Sequence, residues 1–310
     1  MAYRIALLDR VVCARTLVEC LAAEGASVAL TVTDVIPEGP GIVALLVGPN
    51  SARVTDAHLA ALPDLRVLSA TCTGYDHLPT AAARARGIRV TQVADYSTEE
   101  VADHALACIL GLLRATAFLD STVRAGLWGA TSPPPRRIAG TVLGLYGLGK
   151  IGAAVGRRAR ALDIDVLACG PSLGRRGPEL AAEGITAVEW PELLRRANVL
   201  SLHAPLTDQT RGVVDAAALA MMAPGSYLVN VARAGLVDHD ALGSALRSGR
   251  LAGAAIDVLP HEPVWPDDPI LRFPNIMLTP HVAFYSPGVA EKLARRVAVE
   301  VAGALGDPAT

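Results

Sequence analysis

The sequence predicts an α/β fold made of two doubly wound parallel-sheet domains, Rossmann-like or flavodoxin-like, with a cleft between them. Short runs of Val, Leu, Ile and Ala alternate with helix-like segments, which is typical of βαβ units. These runs are apolar at nearly every position, as expected for strands covered by helices on both faces. The 310 residues, 52% of them hydrophobic, are enough for two domains of ordinary size.

The first hundred residues contain four predicted strands, separated by helical segments such as ARTLVECLAAEG. The strands are YRIALLD, GASVAL, GIVALLV and LRVLSA. A long helix is predicted over 98–114, because Ser97 and Glu100 form a capping-box pattern at its start. Three consecutive prolines forbid a helix in the loop that follows, 126–140.

A second unit of alternating strands and helices begins at Thr141. Its predicted strands are TVLGLY, IDVLAC, NVLSLH, SYLVNV, LAGAAIDV and NIMLTPH. One amphipathic helix is predicted over about 287–305. Its place after the last strand permits it to return and pack on the first unit.

A glycine-rich turn follows the first strand of the second unit, in the segment TVLGLYGLGKIG. Gly147 permits a tight turn, Gly149 lets the backbone approach a pyrophosphate, and Gly152 lets the next helix pack closely. The helix N-terminus offers unpaired N–H groups and the positive end of its dipole. We therefore predict a dinucleotide site in which Lys150 and Ile151 also take part; a purely structural turn is the alternative.

Three polar residues follow predicted strands of the second unit, where open α/β sheets bind their ligands. Arg233 follows SYLVNVA, Glu262 lies in DVLPHEP, and His281 ends IMLTPH. A guanidinium binds a substrate carboxylate with paired donors, and an imidazole exchanges the hydroxyl proton. A carboxylate beside the imidazole favours its protonated form. Taken singly, each residue is more simply a solvated or loop side chain, and only their co-occurrence favours catalysis.

Composition excludes several classes of function. The formal net charge of −2 gives no reason to expect nucleic acid or an acidic membrane as partner. No uncharged apolar stretch of about 18 residues occurs, and the N-terminus lacks a signal-peptide pattern, so we expect a cytoplasmic protein. The five cysteines show neither paired nor zinc-ligand spacing, so no metal site is predicted.

Several segments together resemble the D-isomer-specific 2-hydroxyacid dehydrogenase family. They are GLGKIG (147–152), LHAPLT (202–207), VNVARAGLVD (229–238), AAIDVLPHEP (254–263), TPHVAFYS (279–286), TGYDHLP (73–79) and YSTEEVADHAL (96–106). The resemblance spans nearly the whole chain. It implies a discontinuous substrate-binding domain, 1–97 plus 287–310, an NAD(P)-binding domain, 98–286, and a homodimer.

The resemblance also implies roles for single residues. Arg233, Glu262 and His281 correspond to the catalytic residues of the family. The backbone at Thr73 and Gly74 is implied to bind the substrate carboxylate. The implied cofactor contacts outside the glycine turn are Asp257 at the nicotinamide end and His203 and Pro205 on the adenosine side. The histidines with no matching role, which we expect to be structural or at the surface, are His77, His104, His239 and His261.

The chain departs from the family at the end of the second strand of the nucleotide-binding domain. Gly170 stands there in place of the acidic residue that accepts hydrogen bonds from the adenosine ribose. Its absence removes the repulsion that a 2′-phosphate would meet. Because Ser172, Arg175 and Arg176 follow within reach, we expect NADP(H) to be accepted or favoured. The alternative is that both arginines are solvated and the site uses NAD.

The resulting prediction is an NAD(P)-dependent oxidoreductase that interconverts a 2-oxo acid and a D-2-hydroxy acid, with His281 as acid and base. An alternative hypothesis comes from the segments TPHVAFYS and STEEVAD, which also resemble dinucleotide-sensing corepressors of the C-terminal-binding type. Such a protein binds the dinucleotide without significant turnover. The intact trio of Arg233, Glu262 and His281 favours the enzyme.

Overall fold

The computed structural model describes residues 2–49, 51–129, 134–170, 173, 180 and 182–306. The chain divides into two compact units. The first contains Met1–Ser97 and Tyr285–Thr310, and the second contains Thr98–Phe284.

The first unit contains a five-stranded parallel sheet in the order β2-β1-β3-β4-β5. Its elements are β1 (Tyr3–Leu8), α1 (Ala14–Ala23), β2 (Val28–Val32), β3 (Ile42–Val47), α2 (Asp56–Ala60), β4 (Val67–Ala70), α3 (Thr80–Ala85) and β5 (Arg89–Gln92). This order is that of flavodoxin-like folds. The four predicted strands are confirmed. Strand β5 was not predicted, because its four residues are only half-buried and give a weak apolar signal.

The second unit contains a seven-stranded parallel sheet in the order β12-β11-β10-β9-β6-β7-β8. Its first elements are α4 (Thr98–Arg114), α5 (Thr116–Arg124), β6 (Val142–Tyr146), α6 (Lys150–Arg160), β7 (Asp165–Cys169), β8 (Ile185–Ala187), α7 (Trp190–Arg196) and β9 (Val199–Leu202). The remaining ones are α8 (Ala216–Met221), β10 (Ser226–Asn230), α9 (His239–Arg247), β11 (Leu251–Ile256) and β12 (Ile276–Leu278).

This second order is the Rossmann order with one added edge strand, so its direction reverses between β6 and β9. The predicted strands of the unit and the helix over 98–114 are confirmed; β8, only three residues long, was missed. Helix α6 begins at Lys150, directly after the glycine turn. The predicted fold class of two parallel-sheet α/β domains is confirmed.

The last helix, α10 (Val289–Gly306), belongs to the first unit and packs against α1. Its buried face includes Leu293, Val297 and Val301. The Arg66 guanidinium donates a hydrogen bond of 2.8 Å to the Leu305 carbonyl. Long-range contacts therefore hold the end of the chain to the unit formed by its beginning.

Among the described residues, no single helix has the length and apolar character needed to cross a membrane. One bent pair, α4 with α5 at 58°, passes the same test of length and composition only when the two are taken together.

Candidate active site

At two positions of the predicted dinucleotide turn, neighbouring backbone atoms leave no room for a side chain. Gly147 has a φ of +94°, and a Cβ built there would lie 2.6 Å from the Ala204 backbone nitrogen. At Gly152 a Cβ would lie 2.4 Å from the Gly147 carbonyl oxygen. Any side chain at these two positions would push the first turn of α6 away from β6 and β9.

Gly149 differs from its neighbours. A Cβ built at this residue meets nothing within 4 Å among the described residues, and Gly149 precedes the first residue of α6. The N–H groups of Ile151 and Gly152 lie in the first turn of α6, where the helix itself provides no acceptor. No side-chain hydrogen bond caps this helix in the described structure. Lys150 is exposed in the same turn. An open approach to helical N–H groups suits a pyrophosphate.

The end of β9 lies beside this turn, because Tyr146 and Leu202 are paired in the sheet. His203 donates its backbone N–H to the Tyr146 carbonyl at 2.8 Å, and its ring Nε2 lies 2.9 Å from Ser201 Oγ. Burial lowers the pKa of His203 to about 4, so this ring is neutral near pH 7. Pro205 is exposed, and its carbonyl accepts a hydrogen bond of 2.6 Å from Thr210.

Gly170 directly follows β7, on the other side of the glycine turn. A Cβ built there would lie 3.5 Å from Gly147 Cα, an ordinary contact distance. A Cβ at this position therefore causes no overlap with the described residues. Ser172, Arg175 and Arg176 lie outside the described residues.

The imidazole of His281 and the carboxylate of Glu262 form a direct pair. His281 Nδ1 lies 2.7 Å from Glu262 Oε2, and the other carboxylate oxygen accepts the Leu259 N–H at 2.7 Å. An ionised carboxylate only accepts hydrogen bonds, so Nδ1 carries a proton and Nε2 is the nitrogen that exchanges one. Burial alone would raise the pKa of Glu262, but the hydrogen bond and charge of His281, the Leu259 N–H and the charge of Arg233 leave it below the ordinary value.

Asp257 stabilises the loop that contains His281 through hydrogen bonds. Its side chain is 2% exposed, and its carboxylate accepts the Thr279 hydroxyl at 2.6 Å and the N–H groups of Val282 and Ala283 at 2.9 and 3.0 Å. The Asp257 carbonyl accepts the His281 N–H at 2.8 Å. His281 has a φ of +50°, which side-chain-bearing residues rarely adopt, so these bonds stabilise a strained backbone.

Arg233 lies three residues beyond β10, in a turn built by Asn230. This buried amide donates to the Arg233 carbonyl at 2.9 Å and accepts the Ala232 N–H at 3.0 Å. The guanidinium donates to the Ala232 carbonyl at 2.7 Å, and its charge acts on Glu262. Asn230 and Thr279 were not predicted as site residues, although each is a polar residue at the end of an apolar strand.

Thr73 and Gly74 lie in the first unit, three and four residues after the end of β4. Thr73 is exposed, and within the described part of the chain neither backbone N–H donates a hydrogen bond. The Gly74 carbonyl accepts a hydrogen bond of 3.0 Å from the Cys72 thiol. The turn therefore presents two unused backbone donors.

In the second unit, His281 contacts Glu262, and the charge of Arg233 acts on Glu262. The glycine turn lies beside His203 in the same unit. Asp257 stands behind the His281 loop, with its carboxylate occupied by that loop. No group of three or more potential metal ligands occurs among the described residues.

A family model described as "D-isomer specific 2-hydroxyacid dehydrogenase, NAD binding domain" matches residues 106–283. This match identifies the group for which the glycine turn is built as a nicotinamide dinucleotide.

The chain is 36% identical over 275 residues to a D-3-phosphoglycerate dehydrogenase of Mycobacterium leprae, covering 88% of this chain but only 51% of that protein. It is also 36% identical over 261 residues to a glyoxylate reductase of Korarchaeum cryptofilum, covering 83% of this chain and 77% of that one. The chain thus spans about half the length of the phosphoglycerate dehydrogenase. The structure of D-lactate dehydrogenase from Aquifex aeolicus, complexed with NAD and lactic acid, superposes with a TM-score of 0.85 at 26% identity, covering 96% of this chain and 94% of that one.

Proposed function

The chain belongs to the D-isomer-specific 2-hydroxyacid dehydrogenase family, as its motifs predicted, and we propose that it interconverts a 2-oxo acid and a D-2-hydroxy acid with a nicotinamide cofactor. The observation on which this proposal rests is the hydrogen bond of 2.7 Å between His281 Nδ1 and Glu262 Oε2, in a unit that also holds a dinucleotide turn. An imidazole held in this way exchanges protons through Nε2 alone.

When bound, the nicotinamide ring supplies a hydride for the reduction or accepts one in the reverse direction. His281 gives the proton to the carbonyl oxygen through Nε2 and takes it back in the oxidation. Glu262 favours the protonated imidazole and fixes the plane of the ring. Arg233 binds the substrate carboxylate and polarises the carbonyl.

The two units have different roles in this proposal. The second unit binds the dinucleotide through Gly149, Lys150 and the first turn of α6. The first unit, with α10, binds the substrate, and the N–H groups of Thr73 and Gly74 donate to its carboxylate. The unused donors in that turn support this assignment.

The absence of an acidic residue at Gly170 extends the proposal to NADP(H). A ribose 2′-phosphate meets no carboxylate there, and Ser172, Arg175 and Arg176 follow in the sequence. A Cβ at Gly170 has ordinary contact distances, and Gly170→Asp places a carboxylate acceptor at this position again. We expect the wild type to use NADPH at least as well as NADH, and Gly170→Asp to shift the kcat/KM ratio roughly tenfold toward NADH. A strong NADH preference of the wild type would contradict this extension.

A second copy of the chain is the proposed partner. Helix α5 buries none of its own residues, and apolar side chains at and beyond its end are exposed, namely Val123 at 51%, Leu127 at 62% and Trp128 at 89%. Apolar surface of this kind is typical of protein interfaces. Sedimentation should give a dimer that Trp128→Glu weakens; a monomeric wild type would contradict the assignment.

A substrate panel tests the activity. Glyoxylate, pyruvate, hydroxypyruvate, phenylpyruvate and phosphonopyruvate are offered with NADH and with NADPH, and the hydroxy acid formed is analysed on a chiral column. We expect turnover of at least one acid and a D product. Tight cofactor binding without turnover of any acid would favour the dinucleotide-sensing alternative.

A further inference from the structure

His104 lies in the first half of α4, and this helix packs against β10 and β11. Its ring Nε2 lies 3.1 Å from Thr279 Oγ1 and 3.8 Å from Asp257 Oδ1, and its side chain is 22% exposed. The sequence predicted that this histidine is structural or at the surface. The structure instead places it in contact with the residues that shape the His281 loop.

The direction of each hydrogen bond follows from the chemistry of the three groups. The Asp257 carboxylate only accepts hydrogen bonds, so the Thr279 hydroxyl donates its single hydrogen bond to Asp257 Oδ1, at 2.6 Å. The hydroxyl oxygen then accepts from His104, which must carry its proton on Nε2. His104 and Thr279 therefore form a chain of two donors that ends at the Asp257 carboxylate.

The other charged and titratable groups near His104 on α4 do not take part in these hydrogen bonds. Asp103, the preceding residue, is bound to Arg158 on α6 at 2.7 Å. Cys108 lies one turn further along α4, and burial together with the negative charge of Asp257 raises its pKa to about 11, so it is a neutral thiol. The Asp257 carboxylate, 3.8 Å from the His104 ring, lies at the end of this chain.

We propose that His104 is a positioning residue for His281, and this inference rests on the proposed function. By holding the Thr279 hydroxyl toward Asp257, His104 fixes a carboxylate that also binds the N–H groups of Val282 and Ala283. Those bonds hold the two residues that follow His281 and stabilise its left-handed backbone. Without His104, the Thr279 hydroxyl loses its second partner, and the bond from His281 Nδ1 to Glu262 loses its fixed geometry.

Three variants separate this role from simple packing. His104→Leu removes the donor but keeps the bulk, and His104→Gln keeps a side-chain N–H at a similar reach. Cys108→Ala, the matched control, alters the same region of α4 without touching the hydrogen-bond chain. We expect kcat to fall roughly tenfold in His104→Leu and to return to within about twofold of wild type in His104→Gln. Cys108→Ala should keep the wild-type kcat.

Two further readouts distinguish positioning from loss of structure. The first readout is the pH dependence of kcat for the reduction, which requires the protonated imidazole of His281. In His104→Leu, kcat should begin to fall at a lower pH than in the wild type, because Glu262 stabilises the protonated imidazole less well. In the cofactor-free protein labelled with ¹⁵N-histidine, the ring N–H signal of His281 should broaden or shift in His104→Leu and stay in Cys108→Ala. With seven histidines in the chain, single substitutions can assign these signals.

A wild-type kcat, pH profile and His281 signal in His104→Leu would overturn the inference. If that variant does not fold, Thr279→Val is expected to give the same losses and Thr279→Ser to restore them, and no loss in Thr279→Val would overturn it equally. A wild type without turnover refutes the proposed function instead, while the His281 signal of the cofactor-free variants still tests the role of His104.

Discussion

The two units use the carboxyl ends of their parallel strands differently. In the second unit, side chains at these ends bind one another: Glu262 holds His281, and Asp257 holds the loop around it. In the first unit, Asp9 directly follows β1 and is 5% exposed. Its carboxylate accepts the Thr71 hydroxyl and the Val11 N–H, the latter at 2.7 Å. Burial raises the pKa of Asp9.

This difference shows that topology alone does not decide where chemistry occurs. Both sheets reverse their strand order, and both carry carboxyl groups beyond the carboxyl ends of their strands. One carboxylate holds an imidazole that can exchange a proton, and the other fixes the ends of β1 and β4 to each other. The first unit accordingly offers backbone donors at Thr73 and Gly74, whereas the second offers titratable side chains.

The largest expected effect comes from removing the proton carrier. His281→Ala should lower kcat by roughly a thousandfold, because general acid–base catalysis is lost. The dissociation constant for the cofactor should stay within about threefold of wild type, since the glycine turn is untouched. Stopped-flow turnover and fluorescence titration measure the two quantities. Turnover at the wild-type rate would remove His281 from the mechanism.

The next effect concerns the guanidinium. Arg233→Ala should lower kcat/KM by roughly a hundredfold and raise KM, because a charge-assisted bidentate contact serves both binding and the transition state. Arg233→Lys keeps the charge but loses the paired donors, so it should recover only part of the loss. Steady-state kinetics on both variants check this order. Equal kinetics for Arg233→Lys and the wild type would mean that the charge alone matters.

The glycine turn allows a comparison within a single motif. Gly149→Ala has open space and should fold normally, yet bind the cofactor roughly tenfold more weakly, because the added Cβ occupies the approach to the pyrophosphate. Gly152→Ala puts its Cβ 2.4 Å from a carbonyl oxygen and should lower the melting temperature. Calorimetry and fluorescence titration separate the two effects. Normal cofactor affinity in Gly149→Ala would place the pyrophosphate elsewhere.

The smallest effect belongs to the first unit. Asp9→Asn replaces one of the two carboxyl oxygens that accept from Thr71 and Val11 by an amide nitrogen, which only donates, so it should cost about 1 kcal/mol of unfolding free energy at low pH. The pKa of Asp9 is raised in the folded protein, so its contribution to stability is present below the unfolded value of 3.8 and is lost as the pH rises through the folded value. The difference between wild type and Asp9→Asn should therefore shrink from pH 4 toward pH 7. Urea unfolding at several pH values measures this trend, and a growing difference would contradict it.

Much of the site could be predicted from the sequence because its parts are local. Arg233 and His281 each stand three residues beyond an apolar strand, and the three glycines lie within six residues of one another. The supporting residues were harder to find. His104 and Thr279 are 175 residues apart, and nothing in either neighbourhood indicates that they meet. The strands β5 and β8 are short and partly exposed, so pairing with neighbours, more than their own composition, makes them strands.

The most direct test of the imidazole–carboxylate pair is the pH dependence of kcat/KM for reduction, measured on the wild type and on Glu262→Gln. If Glu262 supports the protonated form of His281, the Glu262→Gln profile falls away at a lower pH than the wild-type profile, with a reduced maximum. Superimposable profiles would contradict the assignment of the proton carrier.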